Sequence, residues 1–370
     1  MFVRTCFFIS FIAGSLLAPL VQAAPTYTLT FLPQGASAHG INNAGQIVGD
    51  YSAGDNAHAF VWSGAALADL GSLGGGPSSG TSINRYGDVT GSSTLDASTI
   101  HAFAYAGGAM KDLGTLGGPF SIGTGINAAG QVAGQSLNGQ NQYRAFLYAS
   151  GSMQDLGTLG GDFGRANGIN SAAQVVGESA LDRDVPELST HAFLYSAGAM
   201  VDLGTLGGRL SDASAINDAG QVIGTSLTAS NFEHAFLYSN GTMRDIGSFG
   251  GQQTFARGIN GAGMAVGSSE YVGSQDLAHA WLFANDSLMD LNSLVDPVPG
   301  WTLVDAVGIN DARQIAGLAC RDFGDCRAVR LDPVSAVPEP AGALLFLTGL
   351  MLVGVAAQRN MSTCRMPSSS

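Results

Sequence analysis

The chain has 370 residues, of which only 12% are charged and 53 are glycine, and its formal net charge is −13. Hydrophobic residues make up 45% of the chain, which excludes a largely disordered protein, since disorder requires low hydrophobicity and high charge. The acidic balance argues against a nucleic-acid-binding protein, because contacts with phosphates need basic residues. The composition is typical of many short strands joined by glycine turns.

The first 23 residues have the features of a secretory signal peptide. Arg4 supplies a basic start, and an apolar stretch from Cys6 to Leu20 follows it. Val21 and Ala23 are small residues at the two positions that a signal peptidase reads. We therefore expect cleavage after residue 23 and export through the Sec pathway, with an uncleaved anchor as the alternative.

A unit of about 43 residues then recurs up to about residue 331. Three landmarks define the unit. The first is Ile-Asn before a turn, at Asn42, Asn84, Asn127, Asn170, Asn217, Asn260 and Asn310. The second is His-Ala-Phe or a variant, at His58, His101, Arg144, His191, His234, His279 and, degenerately, Arg327. The third is Asp-Leu-Gly or a variant, at Asp69, Asp112, Asp155, Asp202, Asp245 and Asp290.

Each unit divides into four short extended runs, which is the size of one propeller blade. Seven units have a first strand but only six have an Asp-Leu-Gly run. The segment 27–33 reads as a strand and stands where a seventh such run would lie. We therefore predict an all-β, seven-bladed β-propeller over residues 24–335, closed by its N-terminal strand. An open β-solenoid is the alternative.

The turn after each Ile-Asn pair has asparagine first and glycine fourth. Asparagine favours the first position of a type I turn because its side chain can bond the backbone, and glycine accepts the left-handed conformation that follows. Ala173 and Arg313 replace the expected glycine in two of the units. We expect both residues to adopt a positive φ at a cost in stability.

The combination of His191-Ala192-Phe193, Asp-Leu-Gly-Thr-Leu-Gly-Gly and Gly-Ile-Asn resembles the HAF-repeat family of bacterial extracellular proteins. The resemblance covers roughly residues 36–331. It implies export and a location at the cell surface or in the matrix, and it implies no reaction.

The C-terminal segment 336–370 contains Pro338-Glu339-Pro340, an uncharged stretch over residues 341–357, and a tail with Arg359. This segment resembles the PEP-CTERM sorting signal of Gram-negative bacteria. The resemblance implies a transmembrane segment at 341–357, an exosortase as processing partner, an inner-membrane intermediate, and an association with exopolysaccharide. The tail departs from the family pattern, since Arg359 and Arg365 are separated rather than clustered, which puts efficient processing in doubt.

Two cysteines, Cys320 and Cys326, remain between the two targeting segments. An even pair in an exported chain predicts a disulfide.

The recurrent histidines and aspartates are not expected to form a site. They occur once per unit on outer strands, whereas metal ligands must converge on one ion. We therefore expect packing, turn and hydrogen-bonding roles for them, with no metal and no cofactor. We also identify no pair of catalytic carboxylates from the sequence.

Departures from the repeat are the better candidates for binding. Three segments are longer than the standard unit, at residues 178–190, 269–277 and 293–302, and loops on a rigid scaffold commonly carry binding. The candidate ligand-binding residues are Asp182, Asp184, Tyr271 and Trp301. The alternative is that these segments are tolerated insertions and that Trp301 belongs to the core.

These observations predict an exported, non-enzymatic surface or matrix protein that contacts exopolysaccharide or surface proteins. The alternative function is a propeller enzyme that acts on extracellular glycans. Two carboxylates facing each other across a pocket would favour the enzyme.

Overall fold

The computed structural model describes residues 27–334 except residues 55, 183–188, 273–277 and 322–323. The described residues up to Pro333 belong to one compact unit. The predicted signal peptide, membrane span and sorting motif lie outside the described residues, as does Asp184. Within the part of the chain that is described, no helix is long and apolar enough to cross a membrane.

The described residues form 28 strands and a short 3-10 helix at Leu291–Ser293. The strands make seven antiparallel four-stranded units. The first strands of the units are β2 (Ala36–Ile41), β6 (Ser78–Ile83), β10 (Gly117–Ile126), β14 (Gly164–Ile169), β18 (Gly207–Ile216), β22 (Gly250–Ile259) and β26 (Thr302–Ile309). The second strands are β3 (Ile47–Ala53), β7 (Val89–Asp96), β11 (Val132–Asn138), β15 (Val175–Ala180), β19 (Val222–Thr228), β23 (Ala265–Tyr271) and β27 (Ile315–Arg321).

The third strands carry the His-Ala-Phe motif. They are β4 (Asn56–Trp62), β8 (Thr99–Ala106), β12 (Tyr143–Ala149), β16 (Thr190–Ser196), β20 (Glu233–Ser239), β24 (Ala278–Ala284) and β28 (Asp325–Pro333). The fourth strands end in the recurrent aspartate. They are β5 (Leu67–Asp69), β9 (Ala109–Asp112), β13 (Ser152–Asp155), β17 (Ala199–Asp202), β21 (Thr242–Asp245) and β25 (Ser287–Asp290).

The fourth strand of the seventh unit is β1 (Tyr27–Phe31), from the opposite end of the described chain. It pairs antiparallel with β28, and Leu29 lies opposite Leu331. The sequence predicted this pairing from the missing seventh Asp-Leu-Gly run. In the same unit, Cys320 and Cys326 form a disulfide between β27 and β28.

The units are grouped into five hydrogen-bonded sheets rather than seven separate ones. Phe120 pairs with Ile100 and joins the second unit to the third, while Gln253 pairs with Glu233 and joins the fifth to the sixth. These contacts are single parallel pairs at the unit boundaries, so the four-stranded unit remains the building block.

The hydrophobic core lies between the units. Each of the seven core clusters combines side chains from two consecutive units, such as Ala192 of the fourth unit with Phe236 of the fifth. The last cluster of this type packs Ala328 of the seventh unit against Phe60 of the first. Because no unit holds a core of its own, each one depends on its neighbours for burial.

The asparagines of the seven turns make a continuous series of hydrogen bonds. In the first unit, Asn42 Oδ1 accepts from the backbone N–H groups of Ala44 and Gln46, as the turn assignment predicted. The side-chain amide of Asn42 also donates to the backbone carbonyl of Asn84 in the next unit at 3.0 Å.

This bond is repeated at every unit boundary over donor–acceptor distances of 2.8–3.2 Å. The last member of the series, Asn310, donates to the carbonyl of Asn42 and so links the seventh unit to the first. All seven asparagines are buried. We name this series of seven side chains the asparagine ring.

The fourth turn position has a positive φ in all the units, including the two without glycine there. Gly45 and Gly130 each have φ of 73°, and Ala173 and Arg313 have φ of 59° and 65°. The predicted strained backbone at these two residues is therefore present.

We predict that Ala173→Gly and Arg313→Gly will each be neutral or will raise the free energy of unfolding by up to about 1 kcal/mol, because the strain is removed. Thermal denaturation measures the effect. Ala172, one position earlier in the same turn, does not have a positive φ. Ala172→Gly should therefore lower stability, because glycine loses more conformational freedom on folding. A loss of stability in Ala173→Gly as large as that of the control would contradict the assignment.

A second prediction separates the two roles of the ring asparagines. Asn127→Asp keeps the acceptor for the turn but places a carboxylate against the carbonyl of Asn170, so we expect a loss of about 2–4 kcal/mol at pH 7. Lowering the pH should recover part of this lost stability, because a protonated carboxyl group can donate a hydrogen bond to the carbonyl of Asn170.

The matched control is Asn138→Asp. Asn138 makes the same turn bonds to Gln140 and Gln142 in a hairpin loop without donating to a neighbouring unit. Equal losses of stability in the two variants, measured by denaturant titration, would show that the bonds between units contribute nothing.

Candidate functional site

In five of the seven units the recurrent histidine is paired with the recurrent aspartate of the same unit. The Nδ1 atom of His191 lies 2.9 Å from Asp202 Oδ2, and the five such pairs span 2.7–3.0 Å. Asp202 Oδ1 also accepts from the backbone N–H of Gly204, as expected for a turn residue. The sequence predicted hydrogen-bonding roles but did not identify the histidine–aspartate pairing, because the partners are 11 residues apart on adjacent strands.

One such pair affects an ionisation. Burial alone would raise the pKa of Asp69, but hydrogen bonds from His58, the Gly71 amide and Tyr51 outweigh it and lower that pKa below its usual value. Asp69 therefore has a structural role, as an anion that joins the third and fourth strands of its unit.

The predicted aromatic residues lie in the sixth and seventh units. Tyr271 ends β23, is 38% exposed, and lies with its ring centroid 4.7 Å from that of His279. Trp301 directly precedes β26, with its ring 4.7 Å from Phe31 and beneath the guanidinium of Arg321. His279 and Trp301 both line a cavity of about 220 Å³, so the structure brings the two aromatics to one neighbourhood.

Asp182, the other described candidate, is exposed and follows β15 in the fourth unit. It therefore belongs to a different unit from Tyr271 and Trp301. The structure does not assemble the predicted residues into one site.

A cluster of charged side chains forms instead on the first strands of the fourth and fifth units. Arg165 on β14 lies opposite Glu178 on β15 in the antiparallel register. Asp212 lies on β18, the first strand of the next unit. Arg165 joins them, with Nε 2.8 Å from Glu178 Oε1 and Nη2 2.9 Å from Asp212 Oδ2.

The two carboxylates are held in place by further contacts. Asn167 donates to Asp212 Oδ1 at 2.7 Å. Thr190, at the start of β16, hydrogen-bonds Glu178. The side chains of Glu178 and Asp212 are 15% and 28% exposed, so both are shielded from solvent but accessible to a ligand.

These residues border a cavity of about 320 Å³ between the fourth, fifth and sixth units. Its wall includes Thr190, Glu233, Phe255 and Arg257 in addition to the charged cluster. Arg257 is itself paired with Asp305, at 3.3 Å. Because Thr190 begins the strand that follows the long segment 178–190, the cavity lies on the side of the molecule that carries that segment. We name it the carboxylate cavity.

The cluster is a departure from the repeat that the sequence could have revealed. Arg165 and Asp212 each stand five residues before the turn asparagine of their unit. The residues at this position in the other units are Ser37, Ser79, Ile122, Phe255 and Asp305. Arg165 and Asp212 are 47 residues apart in the sequence. They appear as neighbours only when the fourth and fifth units are aligned on their turn asparagines, Asn170 and Asn217.

The surroundings change the ionisation of both acids. Burial raises the pKa of Glu178 from its usual 4.5 to about 7, with a further rise from the charge of Asp212, while Arg165 and Thr190 lower it. Burial also raises the pKa of Asp212, against the lowering effect of Arg165 and Asn167. The hydrogen bonds that Asp212 accepts from Arg165 and Asn167 favour its ionised form and oppose this effect of burial. Carboxyl groups with raised pKa values in a cavity are typical of general acid–base sites.

No family model matches the chain, and no curated protein matches it. The HAF-repeat and PEP-CTERM resemblances therefore stay predictions.

Solved structures with the same fold do exist. The chain is similar to a puromycin-hydrolyzing peptidase from Mycobacterium tuberculosis, with TM-score 0.53 and 10% identity over 86% of this chain and 58% of that one. It is also similar to a structure from a study of two prolyl endopeptidases, with TM-score 0.52 and 8% identity over 84% and 50%. TolB from Acinetobacter baumannii has TM-score 0.46 and 8% identity over 78% and 64%.

The chain spans less than two thirds of each of these proteins. At such identities the two likenesses with a TM-score above 0.5 show the fold alone, and they confirm the predicted all-β propeller class.

The comparisons contradict the prediction that the protein is non-enzymatic, because the solved structures similar to it include peptidases. The exclusion of an enzyme was wrong for a physical reason. It considered charged residues that recur in every unit, whereas Glu178 and Asp212 occupy positions at which most units have no charge.

The raised pKa of Glu178 predicts a pH-dependent stability. Between its unfolded value near 4.5 and its folded value of about 7, the folded state binds more protons than the unfolded state, so stability falls as pH rises through this window. Glu178→Gln cannot ionise and should raise the free energy of unfolding at pH 8 by about 1–3 kcal/mol, with little change at pH 4.5.

Denaturant titrations at the two pH values measure this effect. Asp50→Asn is the matched control, since Asp50 occupies the position of Glu178 in the first unit and accepts a hydrogen bond from Ser79. The control should not gain stability at pH 8. An equal change at pH 4.5 and pH 8 in Glu178→Gln would contradict the ionisation argument.

Proposed function

We propose that the protein is an exported hydrolase that cleaves glycosidic bonds of extracellular glycans in the carboxylate cavity. The observation that carries the proposal is the pairing of Glu178 with Asp212 around Arg165 in a cavity of about 320 Å³. Glycoside hydrolysis requires two carboxyl groups in different protonation states, one to protonate the leaving group and one to act on the other side of the bond.

The environments of the two acids suit these roles. Glu178, whose pKa is about 7, is protonated under mildly acidic to neutral conditions and can act as the general acid. Asp212 accepts hydrogen bonds from Arg165 and Asn167, which hold it in one orientation. Arg165 contacts both carboxyl groups and so holds them close together.

In the proposed reaction, Glu178 gives its proton to the glycosidic oxygen as the bond to the anomeric carbon breaks. Asp212 takes a proton from the water that adds to that carbon. The products are two free hydroxyl groups, and one water molecule is consumed. The proton on Asp212 then returns to Glu178 through solvent, which restores the starting pair.

The targeting segments support an extracellular substrate. The features of residues 1–23 favour export, and the segment 336–370 resembles a sorting signal associated with exopolysaccharide production. An enzyme processed at the inner membrane and released to the surface would meet such polymers there. An exosortase would be its processing partner.

The test is the release of reducing ends from purified polysaccharides, with the full-length protein and its variants. Glu178→Gln and Asp212→Asn should each lower kcat by about 10²–10⁴-fold, because general acid and base catalysis contribute factors of this size. The rate should fall as pH rises above about 7, where Glu178 loses its proton.

Asp50→Asn serves as the control and should retain the wild-type rate, because Asp50 lies in the first unit, away from the cavity. Full activity in Glu178→Gln would refute the assigned role. The absence of reducing ends from every polysaccharide tested would refute the proposed function itself.

A further inference from the structure

The exposed large apolar side chains of the described residues are concentrated on one side of the molecule. Eight such side chains are exposed, and five of them lie at the ends of second strands or the starts of third strands. These five are Ile100, Tyr143, Phe232, Tyr271 and Val272. Thr190 and Glu233, at the starts of β16 and β20, border the carboxylate cavity on that same side. An exposed apolar surface that is continuous over several units marks a binding surface.

On one side of the cavity the apolar surface is continuous across three units. Ile100 of the second unit pairs with Phe120 of the third. The ring of Phe120 lies 5.8 Å from that of Tyr143, which in turn lies 6.4 Å from the ring of Phe163 in the fourth unit. Tyr143 is 39% exposed, so the middle of this surface is open to solvent.

This surface leads directly to the charged cluster. Phe163 stands two residues before Arg165, and its carbonyl accepts hydrogen bonds from Ala180 and Ser179, next to Glu178. By the repeat, Tyr143 occupies in the third unit the position that Thr190 and Glu233 occupy in the fourth and fifth. The apolar surface and the cavity wall are therefore made from equivalent positions in consecutive units.

Aromatic side chains continue on the other side of the cavity. Phe232 precedes Glu233, is 39% exposed, and lies 6.5 Å from the ring of His234. In the sixth unit, Tyr271 lies 5.0 Å from the ring of Phe249. We name the whole set, from Ile100 to Phe163 and from Phe232 to Tyr271, the aromatic row.

The charge of the protein restricts what the aromatic row can bind. A net charge of −13 repels polyanions, and Glu233 adds an acidic group beside the cavity. Aromatic rings, by contrast, offer flat apolar faces to the C–H faces of uncharged sugar rings. The chemistry of the surface fits a neutral polymer of sugars better than an acidic one.

We infer that the aromatic row binds an extended neutral polysaccharide, so that the carboxylate cavity acts on an internal bond of the chain. This inference rests on the proposed function for its reaction, but the binding surface can be tested without hydrolysis. Tyr143 is the central contact on one side of the cavity and Tyr271 the contact on the other.

The experiment measures binding by affinity electrophoresis of full-length Glu178→Gln protein in gels that contain hydroxyethyl cellulose, mannan, dextran or alginate. We expect retardation by at least one neutral polymer and none by alginate. Tyr143→Ala should raise the Kd about tenfold, since central aromatic contacts carry much of the energy of an interface. Tyr143→Phe keeps the ring and should restore most of the binding.

The matched control is Tyr86→Ala, because Tyr86 is 67% exposed but lies in a turn of the asparagine ring, at the other ends of the strands. It should bind like the parent protein. Retardation by alginate alone, retardation by no polymer, or equal binding in Tyr143→Ala and Tyr86→Ala would overturn the inference.

The same variants separate the inference from the proposed function. If the otherwise wild-type protein releases no reducing ends but still loses binding in Tyr143→Ala, the aromatic row stands and the hydrolase does not. If the protein cleaves a polymer and Tyr143→Ala changes neither its Kd nor its KM, the hydrolase stands and the aromatic row does not.

Discussion

The asparagine ring is the interaction on which the architecture depends. Each of its side chains shapes the turn of its own unit through Oδ1 and donates to the next unit through Nδ2. Each asparagine therefore stabilises its own turn and also links two units. A buried amide without a hydrogen-bond partner would lower the stability of the fold. Because the core clusters also lie between units, neither polar nor apolar stabilisation belongs to a unit by itself.

This arrangement leaves part of each first strand free to vary. The residue five before the asparagine is Ser79 in one unit, Ile122 in another and Phe255 in a third, with the same strand register throughout. Since the turn, the core and the ring hold the strand, this position contributes little to specifying the fold. Arg165 and Asp212 occupy this position in two adjacent units, where they form an ion pair without changing the strand register.

The repeat made the fold predictable to a large extent. The count of Asp-Leu-Gly runs against Ile-Asn turns was enough to assign Tyr27–Phe31 to the last unit, and the turn rule located the strained Ala173 and Arg313. These features are local or countable. The hydrogen bonds that the asparagines donate to the next unit were not predictable from one unit. Their role in the turn already explains these residues, so the sequence gives no sign of a second partner.

The candidate site was less predictable for a similar reason. Sequence reasoning sought binding residues in the long segments and found Tyr271 and Trp301, which the structure places near His279 rather than beside the charged cluster. Glu178 begins one of those segments, but its partners come from strands. The proximity of Glu178, Arg165 and Asp212 depends on how the strands of two neighbouring units are aligned. The pKa of Glu178 depends on its burial. The sequence alone provides neither.

The pairing of β1 with β28 has a consequence for how the protein is made. Leu29 and Leu331 are partners across almost the whole length of the repeat, so β1 is synthesised long before its partner β28. Six units can gain their strands in sequence order, but the seventh cannot be finished from one end of the chain. Final assembly is thus a single late step that involves both ends of the repeat. Until that step, the edges of β1 and β28 remain open to pairing with another chain, so an unclosed molecule exposes two strand edges that the closed one does not.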